Sequence, residues 1–309
     1  MRILVTGASG LLGLNLALEA AKKDHTVFGL VNSHSLHTDA FTVIEADLLA
    51  PDTVERILEQ TQPDWVIHCA ALAIVDACEA DPTRARQLNT ELPRKLAAHV
   101  ARGGARLLHI STDAVFDGER GNYTEEDAPN PLSVYALTKL DGERAVAGAN
   151  PDAAIARVNL FGWSLSGKRS LSEFFFYNLK AGKPVMGFTD VYFCPLLAND
   201  LADILLKMLS ARLSGLYHAV SSECISKFVF GTALAQQFGL DKRLVIPTLV
   251  AQAGLKAARS PNLTLRTERL ARALGENLPT ISPALERFYT LYQQGYSQWI
   301  KGLEAGKQG

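Results

Sequence analysis

Tyr135 and Lys139 lie four residues apart in the stretch "SVYALTKLDGERAV". Leu137, Leu140 and Val146 alternate there with Lys139, Asp141, Glu143 and Arg144, which is the pattern of a helix. On a helix this spacing sets a phenol and an ammonium on one face, about one turn apart. A free phenol titrates near ~10, and a neighbouring ammonium favours its phenolate. A tyrosine so placed exchanges a proton with a substrate oxygen near neutral pH. The same spacing also occurs as surface decoration, so the rest of the chain decides what it means. "HISTDAVFDG" supplies Ser111, Thr112 and Asp113 at the end of an apolar run, where a side chain can hold the substrate oxygen.

A second chemical feature lies at the start of the chain. "TGASGLLG", Thr6 to Gly13, follows an aliphatic strand and opens an apolar helix over residues 11–23. In that position Gly7 permits the tight turn, Gly10 lets a pyrophosphate approach the backbone, and Gly13 lets the helix pack closely on the sheet. The N–H groups around Ser9, Leu11 and Leu12, with the positive end of the helix dipole, then face the phosphates. The spacing is G-x-x-G-x-x-G, and the alternative reading is an ordinary strand–helix turn. The second strand ends in "LVNSH", with no acid between Leu30 and Thr38 to bind a ribose 2′-hydroxyl. Asn32 and Ser33 are neutral and would not repel a 2′-phosphate, although no arginine stands there to clamp one. The expected cofactor is NADP, with NAD as the alternative. Asp47, next to Leu48 after the third strand, is offered to the adenine amino group.

The elements that must position these groups follow from the pattern. "RILVTG", "TVFGLV", "FTVIEADL", "DWVIHCAA", "ARLLHISTD" and "AAIARVNLFG" read as strands, alternating with helical stretches. One of these, "PTRARQLNTELPRKLAAHVARGG", reads as a single long helix. Such alternation predicts a Rossmann-type, doubly wound α/β parallel sheet. After Gly162 the rhythm changes, which predicts a smaller, mixed α/β C-terminal substrate domain. The expected division is 1–160 with 190–220 for the dinucleotide domain, and 161–189 with 221–309 for the substrate domain. "GLYHAV" is a further strand.

Bulk properties narrow the function. The 309 residues carry a formal net charge of -1 and no basic stripe, so nucleic acid is not an expected partner. No apolar run approaches the ~18 residues of a membrane span. A strand begins almost at once in "MRILVTGASG", which predicts no signal peptide. Cys69, Cys78, Cys194 and Cys224 form no C-x-x-C and are read as reduced, mostly buried thiols of a cytoplasmic protein. His34 and His37 have no acid or cysteine at ligand spacing, so no metal is expected.

Taken together, "TGASGLLG", "HCAALAIVDACEADP" with the later Asn89, "ISTDAVFDG", "YTEEDAPNPLSVYALTKLDGE", "GLYHAV" and "RSPNLTLRTERL" resemble the extended short-chain dehydrogenase/reductase superfamily. The closest likeness is to the dTDP-4-dehydrorhamnose reductase family, and it spans residues 3 to about 270. The resemblance implies Thr112, Tyr135 and Lys139 as a catalytic trio, with Tyr135 and Lys139 also touching the cofactor. It implies that Ala70 and Ala71 line the cofactor site and that Val75 approaches the sugar. Strand alternation separates Ser111 from Thr112, so only one of them can face the cofactor.

Three departures bear on the substrate. Thr112-Asp113-Ala114 lacks the glutamate of the related dehydratases, which disfavours water elimination. Ala114 and Leu160 stand where the rhamnose-forming reductases usually carry Tyr and Trp, and Trp163 is a candidate to compensate. "DVYFCPLLAND" replaces a polar stretch of those enzymes. Arg259 is expected at the substrate, and "GKR" at 167–169 could meet a diphosphate with it, against the commoner outcome of a solvated loop. Asp76 and Glu79 read as charges at a helix end, and Arg157 as either an anion ligand or a structural ion pair. The partners are a nucleotide sugar and a second copy of the chain, with "FFFY" read as core or dimer face. The expected activity is NAD(P)H-dependent reduction of a nucleotide-linked keto-deoxysugar. The rivals are a sugar-nucleotide epimerase and a cofactor-binding regulatory subunit resembling the β-subunit of methionine adenosyltransferase.

Overall fold

The computed structural model describes residues 1–32, 34–253 and 260–304. At its centre six strands, β1 (Arg2–Thr6), β2 (Thr26–Val31), β3 (Thr42–Glu45), β4 (Trp65–His68), β5 (Arg106–Thr112) and β6 (Ala154–Val158), join Gly215–Ala219 in one parallel sheet. The order across it is Gly215–Ala219, β6, β5, β4, β1, β2, β3. Parallel strands are covered on both faces and therefore read as continuous aliphatic runs; β4 and β6 are buried throughout. The helices between the strands are α1 (Leu11–Ala21), α2 (Thr53–Thr61), α3 (Val75–Ala80), α4 (Pro82–Arg86), α5 (Leu92–Gly103) and α6 (Val134–Ala149). Helix α1 is buried from Leu12 to Ala20 because it packs against the helix Ala198–Ser210 as well as the sheet.

β1 is flanked by β2 on one side and β4 on the other. The chain thus winds away in two directions, and the loops after β1 and β4 part to leave a crevice at the C-terminal ends of the strands. Open α/β sheets bind ligands there.

The long helix expected from Pro82 is interrupted. A five-residue π-turn, Gln87–Glu91, separates α4 from α5. Pro93 has no N–H to give to the Asn89 carbonyl four residues earlier, so the α-helical ladder widens at that point. The Asn89 carbonyl then faces α6, where a Cβ on Gly142 would overlap it.

Beyond β6 the chain builds a second set of elements. The helix Leu171–Lys180 starts in a capping box made by Ser170 and Glu173. Val185–Phe188 pairs in parallel with Val245–Thr248, and Tyr192–Phe193 pairs antiparallel with Ile225–Ser226. One apolar cluster continues from β1 and α1 through Trp163 to Phe288 and Ile300. Phe175 and Phe176 of the aromatic run are buried in it, while Phe174 is half-exposed. Trp163 stacks on Phe288 at 4.1 Å between ring centres and donates its indole N–H to the Phe288 carbonyl at 3.2 Å. It is fully buried, and so does not compensate in a sugar site for the missing tryptophan.

The cysteine expectation needs correction. Cys194 and Cys224 are joined in a disulfide, with Cα atoms 4.1 Å apart. The pairing of Ile225 with Phe193 brings their neighbours together although 30 residues separate them in sequence. Cys69 and Cys78 are free thiols. No helix among the described residues is long and apolar enough to cross a membrane.

Candidate active site

The glycine loop folds as a cradle. Gly7 adopts φ +69°, and a Cβ there would come within 2.8 Å of the Ala70 backbone. The turn closes with the Gly10 N–H donating to the Gly7 carbonyl at 2.9 Å. A Cβ on Gly13 would overlap that same carbonyl. No side chain caps α1, so its first-turn N–H groups are left to a ligand. Above the turn lies a cavity of about 410 Å³. Of the residues expected at a dinucleotide, Gly7, Ser9, Gly10, Asn32, Asp47, Leu48, Ala70 and Ala71 line it. Leu11, Leu12 and Gly13 are not in its wall: Leu12 is buried in the core, and Leu11 lies beside Gly162. Ser33 and Arg259 lie outside the described residues. The cavity also receives Arg84, from α4, and Arg169, from the loop before Leu171–Lys180. Both are remote in sequence from the end of β2, where an arginine is missing. A glycine-lined turn, an uncapped helix start and two guanidiniums fit a dinucleotide.

Thr112, Tyr135 and Lys139 meet at the C-terminal end of β5. Helix α6 begins one residue before Tyr135. Ser133 caps it by accepting the Ala136 N–H at 3.2 Å, and Glu79 accepts the Val134 N–H at 2.8 Å. Glu79 therefore fastens the start of α6 and is not simply a charge at its own helix end. The Tyr135 phenol hydrogen-bonds with Thr112. Lys139 is buried and donates from Nζ to the Ile110 carbonyl at 2.6 Å. Its charge is felt at Cys69, in the cavity wall. Burial pushes the phenol up to about 12, opposed by the Thr112 bond and reinforced by the Asp113 carboxyl. That corrects the expectation of a phenol lowered by Lys139, since the ammonium spends its hydrogen bond on a carbonyl and burial dominates. Lys139 is itself pushed down to about 8 by burial, partly offset by Glu143.

Val75 opens α3, which runs beside Tyr135, since the Cys78 thiol acts on the phenol. Ala114, two residues after Thr112, donates its N–H to the Thr112 hydroxyl at 3.2 Å. Leu160 sits in a two-residue strand, Leu160–Phe161, against Leu196–Leu197. The unusual stretch "DVYFCPLLAND" thus forms the short strands next to Leu160. Val75, Ala114 and Leu160, like Thr112, Tyr135 and Lys139, lie outside the wall of the 410 Å³ cavity.

Residues 1–294 match the family model described as the RmlD substrate binding domain. The chain belongs to this family. It is 33% identical over 300 residues to a probable low-salt glycan biosynthesis reductase of Haloferax volcanii, covering 94% of this chain and 99% of that one. It is 34% identical over 279 residues to dTDP-4-dehydrorhamnose reductase of Mycobacterium tuberculosis, covering 88% and 87%. It is also 33% identical over 279 residues to the β subunit of methionine adenosyltransferase 2 of Danio rerio, covering 87% and 84%. Among solved structures, dTDP-4-dehydrorhamnose reductase of Bacillus anthracis in complex with NADP superposes with a TM-score of 0.81 at 25% identity, covering 94% and 97%.

Beneath the trio this RmlD-family chain holds a polar layer that its sequence does not announce. Ser111 donates to Glu143 at 2.5 Å, and Glu143 takes two hydrogen bonds from Arg157, at 2.9 and 2.8 Å. Arg157 is therefore a buried structural ion pair. The hydroxyls of Ser111 and Thr112 enter separate networks. Asn159 donates to Asp113 at 2.5 Å, and burial pushes that carboxyl up to about 6. Asn89 ties the π-turn to α6 by donating to the Thr138 hydroxyl at 3.1 Å. The proline after Asn89 was the available signal for the π-turn. Nothing in the spacing signals Asn159, Arg84 or the Ser111–Glu143–Arg157 chain.

Proposed function

We propose that the chain is an NAD(P)H-dependent reductase of a nucleotide-linked keto-deoxysugar, with NADP as the favoured cofactor. The observation that carries this is the meeting of Thr112, Tyr135 and Lys139 at the strand edge next to a glycine-cradled cavity. Reductase relatives, one of them solved with NADP, support the same reading.

When bound, the reduced nicotinamide supplies hydride. Thr112 and Tyr135 hold the carbonyl oxygen, and their hydrogen bonds strengthen as that oxygen gains charge in the transition state. A phenol held near 12 keeps its proton at neutral pH and can give it to the emerging alkoxide. Lys139, still mostly charged at pH 7, grips the ribose and fixes the cofactor beside Tyr135. The Gly7–Gly13 turn and the start of α1 hold the pyrophosphate.

A panel of keto-sugar nucleotides, followed by NADPH absorbance, tests the reading. Consumption of NADPH with one member is the expected result. Interconversion of sugar epimers without net NADPH loss would replace it with the epimerase. Cofactor binding with no turnover, together with capture of a methionine adenosyltransferase catalytic subunit, would replace it with the regulatory reading that the Danio rerio relative favours.

A further inference from the structure

We propose that Arg169 and Arg84 bind the 2′-phosphate of NADP and set this chain's preference for the phosphorylated dinucleotide. The inference rests on the cofactor reading above and assigns that preference to two residues far in sequence from the end of β2.

From the end of β2 and the residues just after it, Leu30, Asn32 and His34 line the cavity close to where the adenosine ribose should lie, and none of them is a lysine or an arginine. Positive charge for a 2′-phosphate must come from elsewhere. Arg169 approaches from the second set of elements, and its position follows from the contacts of the C-terminal segment. The His37 N–H donates to the Leu303 carbonyl at 2.8 Å, and Leu36 pairs with Glu304, so the segment after β2 is tied to that end of the chain. Lys301, just before, stands against the loop that carries Arg169: a Cβ on Gly167 would lie 2.7 Å from its Nζ. The Arg169 loop and the segment after β2 therefore meet at one place, and Arg169 enters the cavity on the adenosine side. Arg84 belongs to the same side, since it also lines a neighbouring groove with Leu48 and Leu49, which follow β3.

Neither guanidinium makes an ion pair or hydrogen bond among the described residues; only the backbone N–H groups of Arg84 and Arg169 do. Arg169 is exposed and Arg84 half-buried, so both guanidiniums are open to an incoming anion, and their planar fork matches phosphate oxygens. The backbone under Arg169 is already set. Its N–H donates to Glu173 at 3.0 Å, and the adjacent Ser170 hydroxyl donates to the Gly162 carbonyl at 2.7 Å. The backbone need not rearrange when the anion arrives, and only the side chain has to be ordered. The pyrophosphate has its own cradle in the glycine turn, which leaves the 2′-phosphate as the group these arginines serve.

Calorimetric titration of NADPH and NADH into wild type, Arg169→Met, Arg84→Met and the double variant tests this. Wild type should bind NADPH more tightly. Each single variant should lose roughly tenfold or more in NADPH affinity, the scale of a charge-assisted contact. NADH affinity should change by no more than about twofold, which also certifies that each variant is folded. The double variant should bind both dinucleotides alike, and its NADPH affinity should be less sensitive to salt. Equal losses for NADH and NADPH would place the arginines at the pyrophosphate and overturn the proposal. Unchanged NADPH affinity would overturn it as well. Failure of wild type to bind either dinucleotide would overturn the cofactor reading itself.

Discussion

Tyr135→Phe keeps the ring and its packing but removes the proton. If the phenol is the acid, turnover falls by roughly 10²–10⁴ while NADPH affinity hardly changes. An exposed decorative pair would change neither, since such contacts are worth only a few tenths of a kcal/mol. Lys139 is expected to act on the cofactor. Because its proton leaves near pH 8, wild-type NADPH affinity should weaken as pH rises through that value. Lys139→Met should bind weakly at every pH, and a titration series across that range checks both. Asp113 provides a separate test of burial. Its carboxyl titrates near 6 in the folded chain, above the ~3.9 of an unfolded aspartate. The folded state holds the proton longer, so this group's contribution to stability is present in acid and lost as pH rises from about 4 to about 6. The loss is at most about 3 kcal/mol. Urea unfolding at about pH 4 and about pH 7 should show wild type losing ground to Asp113→Asn, and a constant difference would contradict it. At this scale the residue types and their spacing were legible in the sequence. The direction of the phenol's shift was not, because it is set by desolvation, which spacing cannot reveal.

Elements place these residues through a few close approaches. Gly142 lets α6 lie directly against the Asn89 carbonyl, so Gly142→Ala must push α6 outward. Overpacking of this kind costs roughly 1–3 kcal/mol, and Tyr135 and Lys139 move with the helix. The variant should therefore unfold at lower urea and also turn over more slowly. Unchanged stability would mean that α6 is not held by this contact. Gly10→Val puts a branched side chain at the floor of the cavity, where NADPH affinity should collapse while the fold survives. Normal binding in this variant would reduce the loop to a turn. The strands and most helices were readable because strands covered on both faces are continuous apolar runs, and these alternate with stretches of helical period. The π-turn was misread as plain helix, since periodicity hardly changes over five residues. The Cys194–Cys224 bond was missed because two-residue strands such as Tyr192–Phe193 and Ile225–Ser226 carry no pattern to register.

At the scale of the whole molecule, a sheet that winds both ways from β1 opens a crevice, and the glycine turn, α6 and the Arg169 loop converge on it. The glycine loop and the β5–α6 pair were legible because each is local in sequence. The arrival of Arg169 was not, because it depends on a C-terminal segment folding back to Leu36 and His37. The central claim is that this arrangement moves hydride to a keto sugar. It is tested most directly by incubating the protein with NADPH deuterated at the transferable C4 position and a nucleotide-linked keto-deoxysugar, then locating the label by mass spectrometry and NMR. The account predicts deuterium on the new carbinol carbon of the sugar, with matching loss from the nicotinamide. Tight NADPH binding with an unlabelled, unreduced sugar across the keto-sugar panel would contradict it.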